Sequence, residues 1–164
     1  MLYSSELLDA LSALSSSTWE GTIFRHTFGS VPPEKENQLG ARWNPAEVPA
    51  IYCSLQSETA IAEVEFHISL QPFRPTTERR VHRIQVRVPD VIELTDWQIL
   101  ERLGVSRASF EAIEPPSCKE VGGAAAFLGH GGILVPSARF PGENLVIYPT
   151  EQLLFKPIDF VTVS

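Results

Sequence analysis

The chain has 164 residues, of which 43% are hydrophobic and 20% charged, which predicts one soluble domain and excludes a disordered chain. Its formal net charge of −7 argues against direct nucleic-acid binding, which needs lysine and arginine to displace counterions from phosphates. No apolar run approaches the roughly 20 residues that cross a bilayer. The first residues lack the basic region of a signal peptide, so we expect a cytoplasmic protein without membrane contact.

The first half of the sequence predicts a helix, a strand and a second helix. An amphipathic helix is expected within residues 1–20, followed by a strand over residues 21–28. Residues 29–49 are rich in turn-forming residues, and a loop of this length in a compact domain usually has a function. A short strand over residues 50–53 leads into a helix that begins at a Ser54 or Ser57 cap and runs to about Leu70.

The second half predicts mainly strands. Residues 81–88 alternate apolar and polar side chains, as in a half-buried strand. Thr95 and Gln98 match a capping box, so a helix is expected to start near Asp96. Residues 122–132 are rich in glycine and alanine and are assigned no element beyond a turn over residues 129–132. Further strands are expected over residues 133–135, 145–148 and 158–163.

These elements predict the fold class and the domain organisation. Strands outnumber helices without regular alternation, which indicates an α+β fold with a mixed or mainly antiparallel sheet and flanking helices. We expect a single domain over residues 1–164, with the helix of residues 1–20 appended to a core over residues 22–160. Cys53 and Cys118 form no CxxC pair, so free thiols are expected rather than a disulfide framework or a zinc site.

Glu63 is the acidic residue whose placement is least expected of a surface helix. At about 100° per residue it lies with Ala60 and Phe66, on an apolar part of the helix surface. A carboxylate there needs a cation, such as an arginine or His67, or it lines a cavity. A metal pair of Glu63 and His67 fits by spacing, but no third ligand is evident, so no metal site is predicted.

Two arginines and a serine are further candidates for substrate binding. Arg25 lies within the strand of residues 21–28, and Arg42 precedes Trp43 in a turn-rich loop. The planar guanidinium suits phosphate oxygens, although each arginine taken alone also fits a surface position. Ser137 follows a strand without a GxSxG context or a matching histidine, so we interpret it as a hydrogen-bond donor rather than a nucleophile.

Five fragments in this order resemble the RES domain, a family named for an arginine, a glutamate and a serine. The resemblance covers residues 23–148, and its fragments are Phe24-Arg25, Gly40-Ala41-Arg42-Trp43-Asn44, Ile51-Tyr52-Cys53-Ser54, Ala60-Ile61-Ala62-Glu63 and Gly132-Ile133-Leu134-Val135-Pro136-Ser137. The resemblance implies a fold like that of the ADP-ribosyltransferase toxins, which bind NAD in a cleft between sheet layers. It also implies the toxin half of a bacterial toxin–antitoxin pair, with an Xre-type helix-turn-helix antitoxin as partner.

The implied activity is cleavage of the nicotinamide–ribose bond of NAD, by a glycohydrolase or a phosphorylase. A mono-ADP-ribosyltransferase that modifies a protein is one alternative, and a non-enzymatic domain that binds a nucleotide or a protein is another. No cofactor beyond NAD as substrate is implied, and a homodimer remains open.

The resemblance also implies residue roles. Arg25 and Arg42 would hold the diphosphate of NAD, and Tyr52 would stack on the nicotinamide ring. Glu63 would be the catalytic carboxylate, and Ser137 would hydrogen-bond the substrate near the reacting ribose. His26 stands where related sequences often carry an aromatic residue, so its role stays open, and Glu65 remains an alternative to Glu63.

Overall fold

The computed structural model describes residues 2–113 and 115–164, so Met1 and Glu114 lie outside the described residues. The helices are α1 (Ser5–Ser12), α2 (Ser57–Ser69), α3 (Trp97–Arg102) and α4 (Pro116–Phe127). The strands are β1 (Ser16–Phe28), β2 (Ile51–Ser54), β3 (Arg79–Glu93), β4 (Gly132–Pro136), β5 (Glu143–Ile147) and β6 (Leu154–Val163). This is an α+β fold with a mixed sheet, as the sequence predicted.

The long strand β3 organises the sheet. It pairs with antiparallel β1 along one edge, while its other edge is shared by antiparallel β6 and parallel β4. From β4 the sheet continues through β5 to β2, and β2 meets β1 where Phe24 pairs with Ser54. The strands β1, β2, β5, β4 and β3 therefore close into a ring, and β6 lies outside it.

The core consists of two clusters on opposite faces of the strands. The inner cluster comes from the ring strands alone and comprises Ile23, Ile51, Cys53, Ile84, Val86, Val88, Val91, Leu134, Leu145 and Ile147. The helical cluster joins α1, α3 and α4 to the other face of the sheet and includes Cys118 and Trp43. Alternation along β4 produces this division, because Leu134 belongs to the inner cluster and Ile133 to the helical one.

Helix α1 is shorter than the sequence suggested. It ends at Ser12, and β1 already begins at Ser16, because the serine-rich segment continues the pairing of β1 with β3. Ser4 caps the helix by accepting a hydrogen bond from the Leu7 amide at 3.2 Å. Leu11 is fully buried in the helical cluster, so α1 packs into the same core as α4.

The expected serine cap of α2 is wrong. Gln56 occupies the cap position in an extended conformation and makes no side-chain capping bond. The hydroxyls of the two expected caps have other acceptors: Ser54 donates to Asn144, and Ser57 donates to Glu58. The end of the helix agrees with the prediction, because Leu70 forms its C-terminal cap.

The start of α3 is predicted correctly, but not its capping mechanism. Asp96 is the cap, and its carboxylate accepts a hydrogen bond from the Gln98 amide at 2.8 Å. Thr95 instead donates to the Glu93 carboxylate, so the expected capping box is not formed. Aspartate and threonine compete for such a cap, and aspartate is the stronger one.

Helix α4 covers residues 116–127 and so includes glycines to which the sequence assigned no helix. A Cβ atom on Gly122 would lie 1.8 Å from the carbonyl oxygen of Trp43. Glycine disfavours helices in isolation, but here it allows the helix to approach the backbone at Trp43. The Tyr148 hydroxyl donates to the same carbonyl at 2.8 Å, which fixes this contact.

None of the helices in the described ranges has the length and apolar character needed to cross a bilayer. The same ranges contain no group of three or more His, Cys, Asp or Glu side chains that could hold a metal ion.

Candidate active site

A cleft of about 290 Å³ lies between β1, β2, α2 and the loop that follows β1. Arg25, Arg42, Tyr52 and Glu63 all line it, although the sequence separates the first and last of them by an entire loop and a strand. Ser137 contacts Glu63 directly and so adjoins the same cleft. The structure thus brings together the five residues that the sequence singled out.

The Glu63 carboxylate is held through one of its oxygens. Oε1 accepts hydrogen bonds from the Ser137 hydroxyl at 2.5 Å and from the Asn144 side-chain amide at 3.0 Å. Asn144 is oriented in turn by Ser54, whose buried hydroxyl donates to Asn144 Oδ1 at 2.7 Å. No donor among the residues that the structure describes contacts Oε2. The carboxylate is therefore fixed in direction while one oxygen remains available to a ligand.

Ser137 follows β4 and connects Glu63 to the turn that leads to β5. Its oxygen accepts hydrogen bonds from the backbone amides of Arg139 at 3.2 Å and Phe140 at 3.3 Å, while its hydroxyl donates to Glu63. No histidine in the described ranges hydrogen-bonds this hydroxyl, so a serine–histidine pair is absent there. The geometry makes Ser137 an orienting group for Glu63, and its expected contact with substrate ribose stays a prediction.

Arg25 links three parts of the cleft wall. Nη1 donates to the carbonyl of Tyr52 at 2.9 Å, and Nη2 donates to the carbonyl of Lys35 at 2.7 Å. Burial lowers the pKa of its guanidinium from the usual value. These bonds fix the Arg25 side chain between β1, β2 and the loop that follows β1.

Arg42 and Arg139 are both anchored to the segment that precedes α4. Arg42 donates to the carbonyls of Phe110 at 2.6 Å and Ala112 at 2.7 Å. Arg139 donates to the carbonyls of Glu111 at 2.7 Å and, more weakly, Ala112 at 3.4 Å. Its guanidinium also lies 3.5 Å from the centroid of the Phe66 ring. Both arginines line the cleft, and Arg139 was not among the site residues predicted from the sequence.

The arginines of the cleft differ from those at positions 74–87 in how their charge is balanced. Every ion pair within the described part of the chain involves an arginine at positions 74–87, and none involves Arg25, Arg42 or Arg139. Among the residues that the structure describes, Glu63 is the one acidic residue that lines the cleft. The cleft therefore carries excess positive charge in a chain whose net charge is −7.

Glu65 has a structural environment that separates it from Glu63. Its carboxylate accepts hydrogen bonds from Arg74 at 2.8 Å and from Arg79 at 2.6 Å. These bonds, that of Arg74 first, lower the pKa of Glu65 to about 2. Arg79 is only 4% exposed, so this pair ties α2 to β3 rather than lining the cleft.

His26 lines the cleft and is connected to the same ion pair. Arg79 Nε donates to His26 Nε2 at 2.9 Å, which requires an unprotonated nitrogen at that position. Burial and, to a smaller extent, the charge of Arg79 lower the pKa of His26 to about 4. The imidazole is therefore neutral at physiological pH.

Tyr52 lines the cleft, and its hydroxyl is hydrogen-bonded to the loop that follows β1. The hydroxyl donates to Asn44 Oδ1 at 2.6 Å and accepts from the Trp43 amide at 2.8 Å. Asn44 is fully buried and also donates to the carbonyl of Val48 at 2.7 Å. The conformation of the loop thus fixes the orientation of the tyrosine ring, and its stacking on nicotinamide stays a prediction.

The RES domain family model matches residues 13–159 of the chain. The chain belongs to the RES domain family. This match extends beyond the five fragments in which the resemblance was first seen, from the end of α1 into β6.

Curated relatives and a solved structure agree with this assignment. The NAD(+) phosphorylase MbcT of Mycobacterium bovis and that of Mycobacterium tuberculosis are each 31% identical over 156 residues, covering 89% of this chain and 82% of the relative. The crystal structure of the M. tuberculosis MbcT–MbcA toxin–antitoxin complex matches with a TM-score of 0.83 and 26% identity. It covers 100% of this chain and 94% of the matched chain. This RES domain protein is therefore similar to MbcT in sequence and in fold.

Proposed function

We propose that this RES domain protein is a toxin that cleaves the nicotinamide–ribose bond of NAD and transfers ADP-ribose to inorganic phosphate. The observation that carries this proposal is the Glu63 carboxylate, oriented through Oε1 by Ser137 and Asn144 inside an arginine-lined cleft. The similarity to proteins named NAD(+) phosphorylase supports phosphate, rather than water or a protein, as the acceptor.

The arrangement suits a reaction in which positive charge develops on ribose. Nicotinamide departs as a neutral molecule because its ring nitrogen takes the electron pair of the broken C–N bond. The oxocarbenium character that results on the sugar is stabilised by a fixed carboxylate, which needs no reorganisation during the reaction. Ser137 and Asn144 hold Glu63 in place before substrate binds, and the Oε2 oxygen then faces the ribose.

Phosphate completes the reaction without a strong base. An unprotonated oxygen of hydrogenphosphate forms the new bond to the ribose carbon as the bond to nicotinamide breaks, and the remaining proton stays on the product phosphate. The atoms and charges of NAD and hydrogenphosphate are thus conserved in nicotinamide and a phosphorylated ADP-ribose. Arg25 supplies binding energy remote from the reacting carbon, and Tyr52 positions the leaving ring.

The proposal is tested by following NAD with the purified protein, using chromatography for nicotinamide and ³¹P NMR for the second product. We expect nicotinamide release that depends on inorganic phosphate and a new phosphate monoester resonance. Equal release in phosphate-free buffer would identify a glycohydrolase instead, and labelled ADP-ribose on a protein would identify a transferase. Absence of nicotinamide release would favour the non-enzymatic alternative.

We further propose that the toxin acts in the cytoplasm and is restrained by an Xre-type antitoxin. The matched crystal structure is a toxin–antitoxin complex, which supports an antitoxin protein as the partner, and the Xre type rests on the family resemblance. Expression of the chain alone should arrest growth and deplete NAD, and co-expression of the adjacent gene should restore both. A homodimer of the toxin remains a prediction that sedimentation of the purified protein can test.

A further inference from the structure

We infer that Arg42 and Arg139 form one binding site for a phosphoryl oxyanion, and that this site holds the attacking inorganic phosphate. The inference rests on the proposed phosphorolysis for the identity of the anion, whereas the site itself rests on geometry alone. The diphosphate of NAD is a second source of the same chemistry, and the experiment below separates the two.

The two guanidinium groups converge on one point of the cleft wall. Nη2 of Arg42 and Nη2 of Arg139 both donate to the carbonyl oxygen of Ala112. Burial and then the charge of Arg42 lower the pKa of Arg139. No carboxylate in the described ranges forms an ion pair with either group. Two like charges held this close, with no ion-paired carboxylate among the described residues, cost free energy, and a bridging anion lowers that cost.

The pair is also preorganised for a ligand. Arg139 is held by the carbonyl of Glu111 and by the face of the Phe66 ring, and Arg42 lies 5.1 Å from the centroid of the Phe110 ring. A guanidinium has five N–H donors. Arg139 makes two hydrogen bonds to carbonyls, and Arg42 makes three, the third to the Ile113 carbonyl at 3.4 Å. The remaining donors can contact phosphate oxygens from two directions with little loss of side-chain freedom.

The position of Arg139 relative to Glu63 favours the acceptor over the diphosphate. Arg139 follows Ser137 by two residues in a turn whose backbone amides hold the Ser137 oxygen, and that serine contacts Glu63. The attraction of Glu63 also acts on the guanidinium of Arg139. A phosphate on the arginine pair therefore lies beside the carboxylate that faces the reacting carbon. Arg25, on the β1 side of the cleft, remains for the diphosphate of NAD, and Arg42 binds the acceptor instead of the diphosphate that the family resemblance implied for it.

Calorimetry with inorganic phosphate alone, and separately with ADP-ribose, tests the site in Arg139→Gln. We expect phosphate affinity to fall by about tenfold or more, with ADP-ribose affinity within about twofold of wild type. In turnover assays, KM for phosphate should rise to the same extent while KM for NAD stays nearly constant. Arg139→Lys keeps the charge without the planar fork and should recover only part of the loss.

Arg80→Gln is the matched control, because Arg80 also stacks on an aromatic ring, 4.4 Å from the centroid of Phe160, but lies outside the cleft. It should leave phosphate affinity unchanged.

A loss of ADP-ribose affinity alone in Arg139→Gln would overturn the acceptor assignment, and unchanged affinity for both ligands in a folded variant would overturn the site. Calorimetry needs no turnover, so weakened phosphate binding supports the site even where NAD cleavage fails. If Arg139→Gln cleaves NAD with the same dependence on phosphate as the wild type, the proposed function stands and the proposed phosphate site does not.

Discussion

At the scale of single residues, Glu63 is hydrogen-bonded through Oε1 only, and this arrangement predicts how its replacement changes NAD cleavage. Glu63→Gln retains the size of the side chain and removes the charge that faces the developing cation. We expect kcat for NAD cleavage to fall by roughly 10²–10³-fold, with NAD affinity changed by no more than about threefold because the arginines remain. Stopped assays of nicotinamide, together with calorimetry, measure the two quantities.

Glu65→Gln is the control for that experiment, since it removes a neighbouring carboxylate of the same helix. It should leave kcat within about twofold of wild type, because Glu65 is committed to Arg74 and Arg79 and holds no cleft position. The melting temperature should fall instead. An equal loss of kcat in both variants would contradict the assignment of Glu63.

Ser137 and Asn144 should act through the orientation of Glu63. A hydrogen bond to a charged group contributes about 1.5–3 kcal/mol, so Ser137→Ala and Asn144→Ala should each lower kcat by roughly ten- to a hundredfold. KM for NAD should change little, and mass spectrometry should detect no covalent adduct on Ser137. An adduct would support a nucleophilic serine, and full activity in both variants would remove the pair from the site.

The sequence predicted those site residues that local pattern or family fragments could identify. The 3.6-residue period of α2 separates Glu63 from Glu65, and the fragment order points to Arg25, Arg42 and Tyr52. Asn144 was missed because its partner lies 81 residues away along the chain, and no local period relates the two. Arg139 was missed for the same reason, since its acceptors lie 27 and 28 residues away.

At the scale of elements, the approach of α4 to the Trp43 backbone predicts an unusual cost for an alanine. Alanine normally favours helices over glycine by about 1 kcal/mol. At Gly122, however, the added Cβ meets a backbone carbonyl at 1.8 Å and cannot be accommodated without moving the helix. We expect Gly122→Ala to lower the free energy of unfolding by about 2–3 kcal/mol, as measured by urea titration.

Gly123→Ala provides the comparison one residue further along the helix. Its Cβ would meet the Tyr3 hydroxyl at 2.3 Å, the tip of a side chain that can rotate away, and Pro45 Cδ at 3.0 Å, which needs to shift by only a few tenths of an ångström. The cost should therefore stay below about 1 kcal/mol after the gain in helix propensity. Equal destabilisation in both variants would show that the backbone contact is not the cause.

The elements themselves could be predicted where their pattern is local. Alternation in residues 81–88 identified β3, but the strand extends to Arg79 and Glu93 because β1, β4 and β6 pair with its ends. Helix α4 could not be predicted, because its glycines are favoured by a contact with Trp43, far away in the sequence. Closure of the sheet into a ring also depends on pairing between distant strands.

At the scale of the whole molecule, His26 should make stability depend on pH. Its pKa of about 4 in the fold lies below its usual value of 6.5, so the unfolded chain binds the additional proton between these values. Stability should be complete above about pH 6.5 and should decrease as the pH falls towards 4. The groups facing His26 are Arg79, Glu65 and His82. Glu65 adds a separate loss below about pH 4.5, its usual pKa being 4.5 and its pKa in the fold about 2.

Thermal melts across pH 4–7 measure this dependence, with His26→Phe as the control. The variant loses the acceptor of Arg79 and should melt at a lower temperature at pH 7. Its melting temperature should nevertheless vary less between pH 6.5 and pH 4.5 than that of the wild type, because the lowered pKa of His26 no longer contributes, while that of His82 still does. Parallel curves for the two proteins would contradict the role given to His26.

The two cysteines divide between the two core clusters, Cys53 in the inner one and Cys118 in the helical one. Burial raises the pKa of Cys53 to about 12 and that of Cys118 to about 11, so neither thiol should react with an alkylating reagent in the native state. The rate at which each thiol is labelled therefore reports how often its own core cluster opens. With Cys118→Ala and Cys53→Ala, labelling rates at low urea should show whether the strand ring and the helical layer open together or in sequence.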